Sequence, residues 1–312
     1  MKSNIKLFKF IFIALSGLLY SCSQSTHPFQ KHQIGANISS AQMEAILDTP
    51  GPIEVQSITS AEWTADLAGL VNLDSTKAKT IGLKNESTSI QIFSHKFKHP
   101  SKGSFLIDTG VSEKVLTNPY AAGVNWLLQK VMHFDRIKII QSTEHFISTG
   151  DKISAVFLTH MHVDHITGMP AVPNDIPIYA GPNETSFKRF LNLFSQSTTD
   201  NLLNGKAAIL ELEFIKDSSQ NFAGIIDLFN DGTAFAIHTP GHTDGSISYL
   251  LRTRNGPILF TGDTCHTRWG WNNSVEPGFF TDDQVTNLKS LLALRALALR
   301  HPTLQIRLGH QL

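Results

Sequence analysis

Three histidines and an aspartate fall within six residues, at His160, His162, Asp164 and His165. Imidazole nitrogen and carboxylate oxygen are the ligands that zinc and other borderline divalent cations take. The preceding run, Ile153-Ser-Ala-Val-Phe-Leu158, is short, apolar and β-branched, the mark of a buried strand, and it leads straight into Thr159-His160. In an extended or turning segment His160 and His162 face one way while Asp164 and His165 reach a neighbouring point. One loop can therefore serve two cations roughly 3.5–4 Å apart, the spacing of two-metal hydrolases.

Positioning such a loop takes a rigid scaffold, and the rest of the chain reads as one. Ile90–Phe93, Ser104–Asp108, Ile176–Tyr179, Gly224–Phe229, Thr233–Thr239, Ile247–Leu251, Ile258–Thr261 and Leu304–Leu308 read as strands. Helical spacing runs over Tyr120–Met132, Glu184–Phe194 and Leu288–Arg300. Between Ser39 and Asn85, Trp63 and Leu67 suggest a helix covering the core. Strands and helices intermix, with tight turns between strands, as in a layered domain with sheets inside.

The spacing His160-x-His162-x-Asp164-His165 resembles the signature of the metallo-β-lactamase superfamily, and further motifs occur in its order. These are Ile107-Asp108-Thr109-Gly110, Thr239-Pro240-Gly241-His242-Thr243, Phe260-Thr261-Gly262-Asp263-Thr264 and Leu308-Gly309-His310. The resemblance covers about residues 88 to 312. It implies an α+β fold, a four-layer αββα sandwich with metal ligands on loops at one edge. It further implies that His160, His162 and His242 hold a first ion and that Asp164, His165 and His310 hold a second. Asp263 would bridge them, while Asp108 orients the histidine-rich loop through hydrogen bonds.

The expected activity is that of a dinuclear metal-dependent hydrolase, using a metal-bridging hydroxide on an ester, lactone or related bond. Two divalent ions are expected, zinc first, with iron or manganese also suited to the ligands. Asp164 would also orient the nucleophile and pass on its proton. His266 stands three residues after Asp263, where lactonase-like members often carry a substrate-binding tyrosine. It is a candidate for that role or for protonating the leaving group, and an ordinary loop histidine otherwise. Cys265 reads as a small packing residue, and Trp269 and Trp271 as either pocket wall or core.

Within the family, Asp263 disfavours true β-lactamases, which lack that bridging aspartate. The chain has no helical extension of the glyoxalase II kind after His310 and keeps His162, which flavodiiron enzymes replace with glutamate. The segment Phe97–Gly110 and the succession Arg300, His301-Pro302, Gly309-His310 look like the lactonase-like branch. Two other readings stay open: an iron-dependent redox enzyme in the same site, and a non-catalytic, metal-stabilised surface lipoprotein.

Composition sets the remaining bounds. In 312 residues, 26 Lys and Arg balance 26 Asp and Glu, so no basic field points to nucleic acid, and a small-molecule substrate is expected. Lys2, Lys6 and Lys9 flank an apolar run from Phe10 to Leu19, and Leu19-Tyr20-Ser21-Cys22 resembles a bacterial lipobox. Residues 1–21 would then be a signal peptide and Cys22 a lipidated membrane anchor, making this an exported periplasmic or cell-surface lipoprotein. Residues 22–38 read as a polar tether to a domain spanning 39–312. With Cys22 acylated, Cys265 has no disulfide partner in the chain.

Overall fold

Several strands of this chain carry apolar residues on both faces, which only a buried sheet accommodates. On Phe105-Leu106-Ile107 and on Ala234-Phe235-Ala236-Ile237, alternate side chains enter different hydrophobic clusters. The computed structural model, which describes residues 22–311, shows the sandwich that results. The expected signal peptide lies outside the described residues.

Strands are numbered in chain order. One sheet has eight, in spatial order β2 (Phe29–His32), β11 (Ile209–Leu212), β9 (Ile178–Ala180), β8 (Ile153–Phe157), β6 (Gly103–Ile107), β5 (Ser87–His99), β4 (Glu54–Asp66) and β7 (Lys138–Ile139). The facing sheet has six, β16 (Gln305–Arg307), β15 (Gly256–Phe260), β14 (Ile247–Thr253), β13 (Ala234–His238), β12 (Gly224–Asp227) and β3 (Ala36–Ile38). A short ribbon pairs β1 (Cys22–Ser23) with β10 (Lys188–Arg189).

Phe97, Phe105 and Phe157 from the larger sheet meet Ala236, Tyr249 and Phe260 from the smaller one in the central core. Tyr249 satisfies its buried hydroxyl by donating to Leu158 O across the sheets at 2.9 Å. A second core lies outside the larger sheet, where Val115, Leu128, Phe146 and Leu202 come from separate helices. A third, outside the smaller sheet, takes Met43 and Leu47 from the helix Ser40–Leu47 and Leu291, Leu294 and Leu297 from Gln284–Arg300. The layers are αββα.

Four local readings change. Residues 22–38 are built into the fold rather than forming a tether: β2 pairs with β11, β3 with β12 and β1 with β10. Their polarity is that of edge strands, which keep one side in water. Trp63 lies on the 13-residue strand β4, not on a helix, and a register shift between Thr59 and Ala61 breaks the alternation that would have marked it. The helix expected over Tyr120–Met132 is confined to Trp126–Val131, because Gly123 takes a positive φ of 83° and Asn125 caps the turn that begins at Trp126. The helix expected from Glu184 begins only at Asn192, after a turn and β10.

Candidate metal centre

Strand direction explains why distant residues converge. β13 and β15 both pair antiparallel with β14, and β15 is parallel to β16. The C-terminal ends of β13, β15 and β16 therefore lie at one edge, and the next residues include His242, Asp263 and His310. In the other sheet β6 and β8 are parallel and end in Asp108 and the His160 loop. The strand Ile153–Phe157 thus delivers the histidine-rich loop as its sequence implied.

At that edge the structure brings together all seven expected ligand residues and His266. His160, His162 and His242 form one group of mutually close ligand atoms, and Asp164, His165, Asp263 and His310 form another. His242, Asp263 and His266 form a third, overlapping both. At the centre is Asp263 Oδ2. The Nε2 atoms of His266, His165, His310, His242 and His160 lie 3.0, 3.3, 3.3, 3.4 and 3.7 Å from it. His162 Nδ1 stands 2.9 Å from His242 Nε2, and His310 Nε2 is 3.3 Å from Asp164 Oδ2.

The loops are held by hydrogen bonds that carry no ligand themselves. Asp108, at a positive φ of 54°, accepts from Thr159 N and Thr159 Oγ1 and binds His165 Nδ1, each at 2.8 Å. That leaves His165 Nε2 facing the cluster, as a ligand imidazole requires. His310 is not frayed: its Nδ1 lies 2.9 Å from Gln91 O, and its backbone N donates to His266 O at 3.1 Å. Asp282 N donates to His242 O at 3.0 Å, and Ser290 Oγ holds Pro240 O at 2.7 Å, fixing the His242 loop to the helix Gln284–Arg300. Gly309 is required by space, since a Cβ there would stand 2.2 Å from Asp263 Oδ1.

Glu184 is the residue that the sequence did not disclose. Its Oε1 accepts from Met161 N and its Oε2 from Thr243 Oγ1, both at 2.7 Å, so one carboxylate joins the His160 and His242 loops. Burial pushes its pKa up to about 7. No spacing signals such a residue, because its partners are distant backbone and side-chain groups.

The donor set fits divalent cations. His160 Nε2, His165 Nε2, Asp263 Oδ1 and both ring nitrogens of His266 are buried without a hydrogen-bond partner, an expensive arrangement unless a cation completes it. Burial holds His160 and His242 well below the usual histidine range and His162 at about 4, so these are neutral imidazoles with a lone pair to offer. Burial acts in the same sense on His165 and His310, but Asp263 and the neighbouring carboxylates outweigh it. His165 rises well above its usual value and His310 reaches about 10. Surplus negative charge around these two rings is what a cation would neutralise. For Asp164, burial opposes ionisation, yet His165 and His310 bring it down to about 2.

Three neighbours have packing roles. Cys265 is buried in the third core and its thiol is pushed up to about 12 by burial, so it is no thiolate ligand. Trp271 sits in that same core, and Trp269 packs against the core outside the larger sheet, so neither is chiefly a substrate wall.

Comparison with known proteins agrees with this geometry. The family model described as the metallo-beta-lactamase superfamily matches residues 147–310. The N-acyl homoserine lactonase AttM of Azorhizobium caulinodans is 28% identical over 223 residues, covering 68% of this chain and 78% of that protein. An N-acyl homoserine lactonase from a Bacillus species is 26% identical over 196 residues, covering 61% and 71%. Among solved structures, a quorum-quenching N-acyl homoserine lactone lactonase superposes with a TM-score of 0.57 at 16% identity, covering 85% of this chain and 94% of that one. AidC, described as a dizinc quorum-quenching lactonase, gives a TM-score of 0.54 at 14% identity, covering 91% of each chain.

Proposed function

The chain belongs to the metallo-β-lactamase superfamily, and on that premise we propose that it is a dinuclear metal-dependent hydrolase that opens lactone esters. The observation that carries the reading is the single oxygen Asp263 Oδ2 with five imidazole nitrogens within 3.7 Å. His160, His162 and His242 would hold one cation, Asp164, His165 and His310 the other, with Asp263 between them. Zinc suits this set best. When bound, the two cations supply a water acidic enough to ionise near neutral pH and an electrophile for the ester carbonyl.

The chain's own groups do the rest. Asp164 is the more exposed of the two cluster carboxylates and remains ionised, so it is placed to orient the attacking water and take its proton. His266 has both ring nitrogens unengaged beside Asp263. One of them can donate to the substrate carbonyl or to the departing alkoxide, the work a tyrosine does at this offset in lactonase-like members. Asp108 and Glu184 position the loops and touch no substrate. Relatives named N-acyl homoserine lactonases support a lactone as the substrate class.

The test is a panel of lactones, aryl esters, cephalosporins and phosphodiesters offered to metal-loaded protein. Lactones are expected to turn over fastest, with Asp263→Ala abolishing activity. His266→Gln is expected to lower kcat by roughly 10²-fold or more with a smaller change in KM. No hydrolysis of any class, or a fully active Asp263→Ala variant, overturns the proposal.

A further inference from the structure

Among the described residues an apolar face stands uncovered beside Cys22. Phe190, Leu191, Leu193 and Phe194 follow β10 in succession and are all exposed, Phe190 by 52%. The rings of Phe190 and Phe194 meet edge-on at 5.8 Å. Asn125 Nδ2 donates to Phe194 O at 2.7 Å, which sets the start of the helix Trp126–Val131, with Trp126 69% exposed, against the same segment. Isolated exposed apolar residues are ordinary, but a contiguous aromatic and aliphatic face implies a partner.

Cys22 lies within this face. It pairs with Arg189 across the β1–β10 ribbon, and Asn192 Nδ2 donates to its carbonyl oxygen at 3.1 Å. Gln196 Nε2 fixes Ser23 O at 2.8 Å. Cys22, which closes the sequence Leu19-Tyr20-Ser21-Cys22, is therefore held beside Phe190 and Leu191. Charge points to the same partner. From Ser186 to Thr199 the charged residues are Lys188 and Arg189, with no acid among them, and Lys188 is exposed. Arg189 is paired with Asp282, so among the described residues the rim carries one free cation, Lys188, and an apolar face of this kind at an anchoring point has the composition of an interfacial lipid-binding surface.

We propose that this face docks onto an anionic lipid bilayer, with Cys22 as the attachment point and Phe190, Leu191, Leu193, Phe194 and Trp126 entering the headgroup region. Among the described residues no helix is long and apolar enough to cross a membrane. Docking would also orient the metal centre. Arg189 of β10 forms an ion pair with Asp282, whose backbone holds His242, so the docked face is one ion pair away from the ligand cluster.

The experiment uses the full-length chain, extracted from the membrane fraction in detergent and reconstituted into phosphatidylethanolamine–phosphatidylglycerol vesicles with brominated acyl chains. The bromolipids are expected to quench tryptophan fluorescence, and Trp126→Phe should remove most of the quenched component, since Trp63 and Trp271 are buried and the half-buried Trp269 packs against the core outside the larger sheet. A Phe190→Ser, Phe194→Ser double variant should be quenched several-fold less, with its near-ultraviolet circular dichroism and urea midpoint retained. Three results would overturn the proposal: quenching that neither variant alters, a chain absent from the membrane fraction, or light scattering showing a dimer that the double variant dissolves. The last would mean that a second copy covers the face.

Discussion

Asp108 shows how much of the site rests on a residue that holds no cation. Its three bonds to Thr159 and His165 fix the backbone that leads into His160 and the ring of the expected ligand His165. Asp108→Ala would leave Thr159 N and His165 Nδ1 without that acceptor, and metal affinity should fall by about tenfold to a hundredfold. Competition with a chromophoric chelator measures this, and an unchanged affinity would show that the loop positions itself. At this scale the sequence was most informative. The expected ligand histidines and aspartates declare themselves by type and spacing, and the structure brings all seven to one edge. Glu184 does not, because its partners Met161 and Thr243 lie 23 and 59 residues away. Its role comes from burial, which spacing cannot express.

Among the elements, the strands ending at the ligand loops were read correctly in kind and nearly in extent, since short apolar β-branched runs have few alternatives. Helical spacing misled where a short apolar period ran through turns, as at Tyr120–Gly123 and Glu184–Leu191. The second of these turns is what brings Glu184 between the loops. Glu184→Ala would orphan the amide of Met161 inside the protein, while Thr243 Oγ1 would keep Ser246 Oγ at 2.8 Å. A loss of about 1–3 kcal/mol is expected, the cost of one buried group left unpaired. Urea unfolding of the metal-free protein measures it. A midpoint equal to the parent's would mean that the two loops are joined by other contacts.

For the molecule as a whole, stability depends on keeping the space between the sheets dry, and His95 makes that dependence visible. Its ring lies 4.4 Å from that of Phe260 and its Nδ1 is 2.8 Å from Ser57 Oγ. Burial, aided by the charges of Arg307 and His165, depresses its pKa from 6.5 to about 3. The unfolded chain takes up this proton near pH 6.5 and the folded one does not. The contribution is therefore complete above pH 6.5 and is lost as pH falls from 6.5 toward 3, by up to about 1.4 kcal/mol per pH unit. His95→Phe should remove that part of the slope, and the difference between parent and variant urea midpoints at pH 7 and pH 5 tests it. Equal slopes would place His95 in contact with water. The integration of residues 22–38 also belongs to this scale. Polar edge strands and a tether look alike in composition, and only the sheet edges waiting for them tell the two apart.

The central claim is that one edge of this sandwich holds two cations whose joint presence opens a lactone. Stripping the protein with chelator, returning zinc in measured amounts and following lactone hydrolysis against metal content tests it directly. The rate should rise to a plateau at two equivalents of zinc per chain. A plateau at one equivalent, or hydrolysis that survives stripping, would contradict the account.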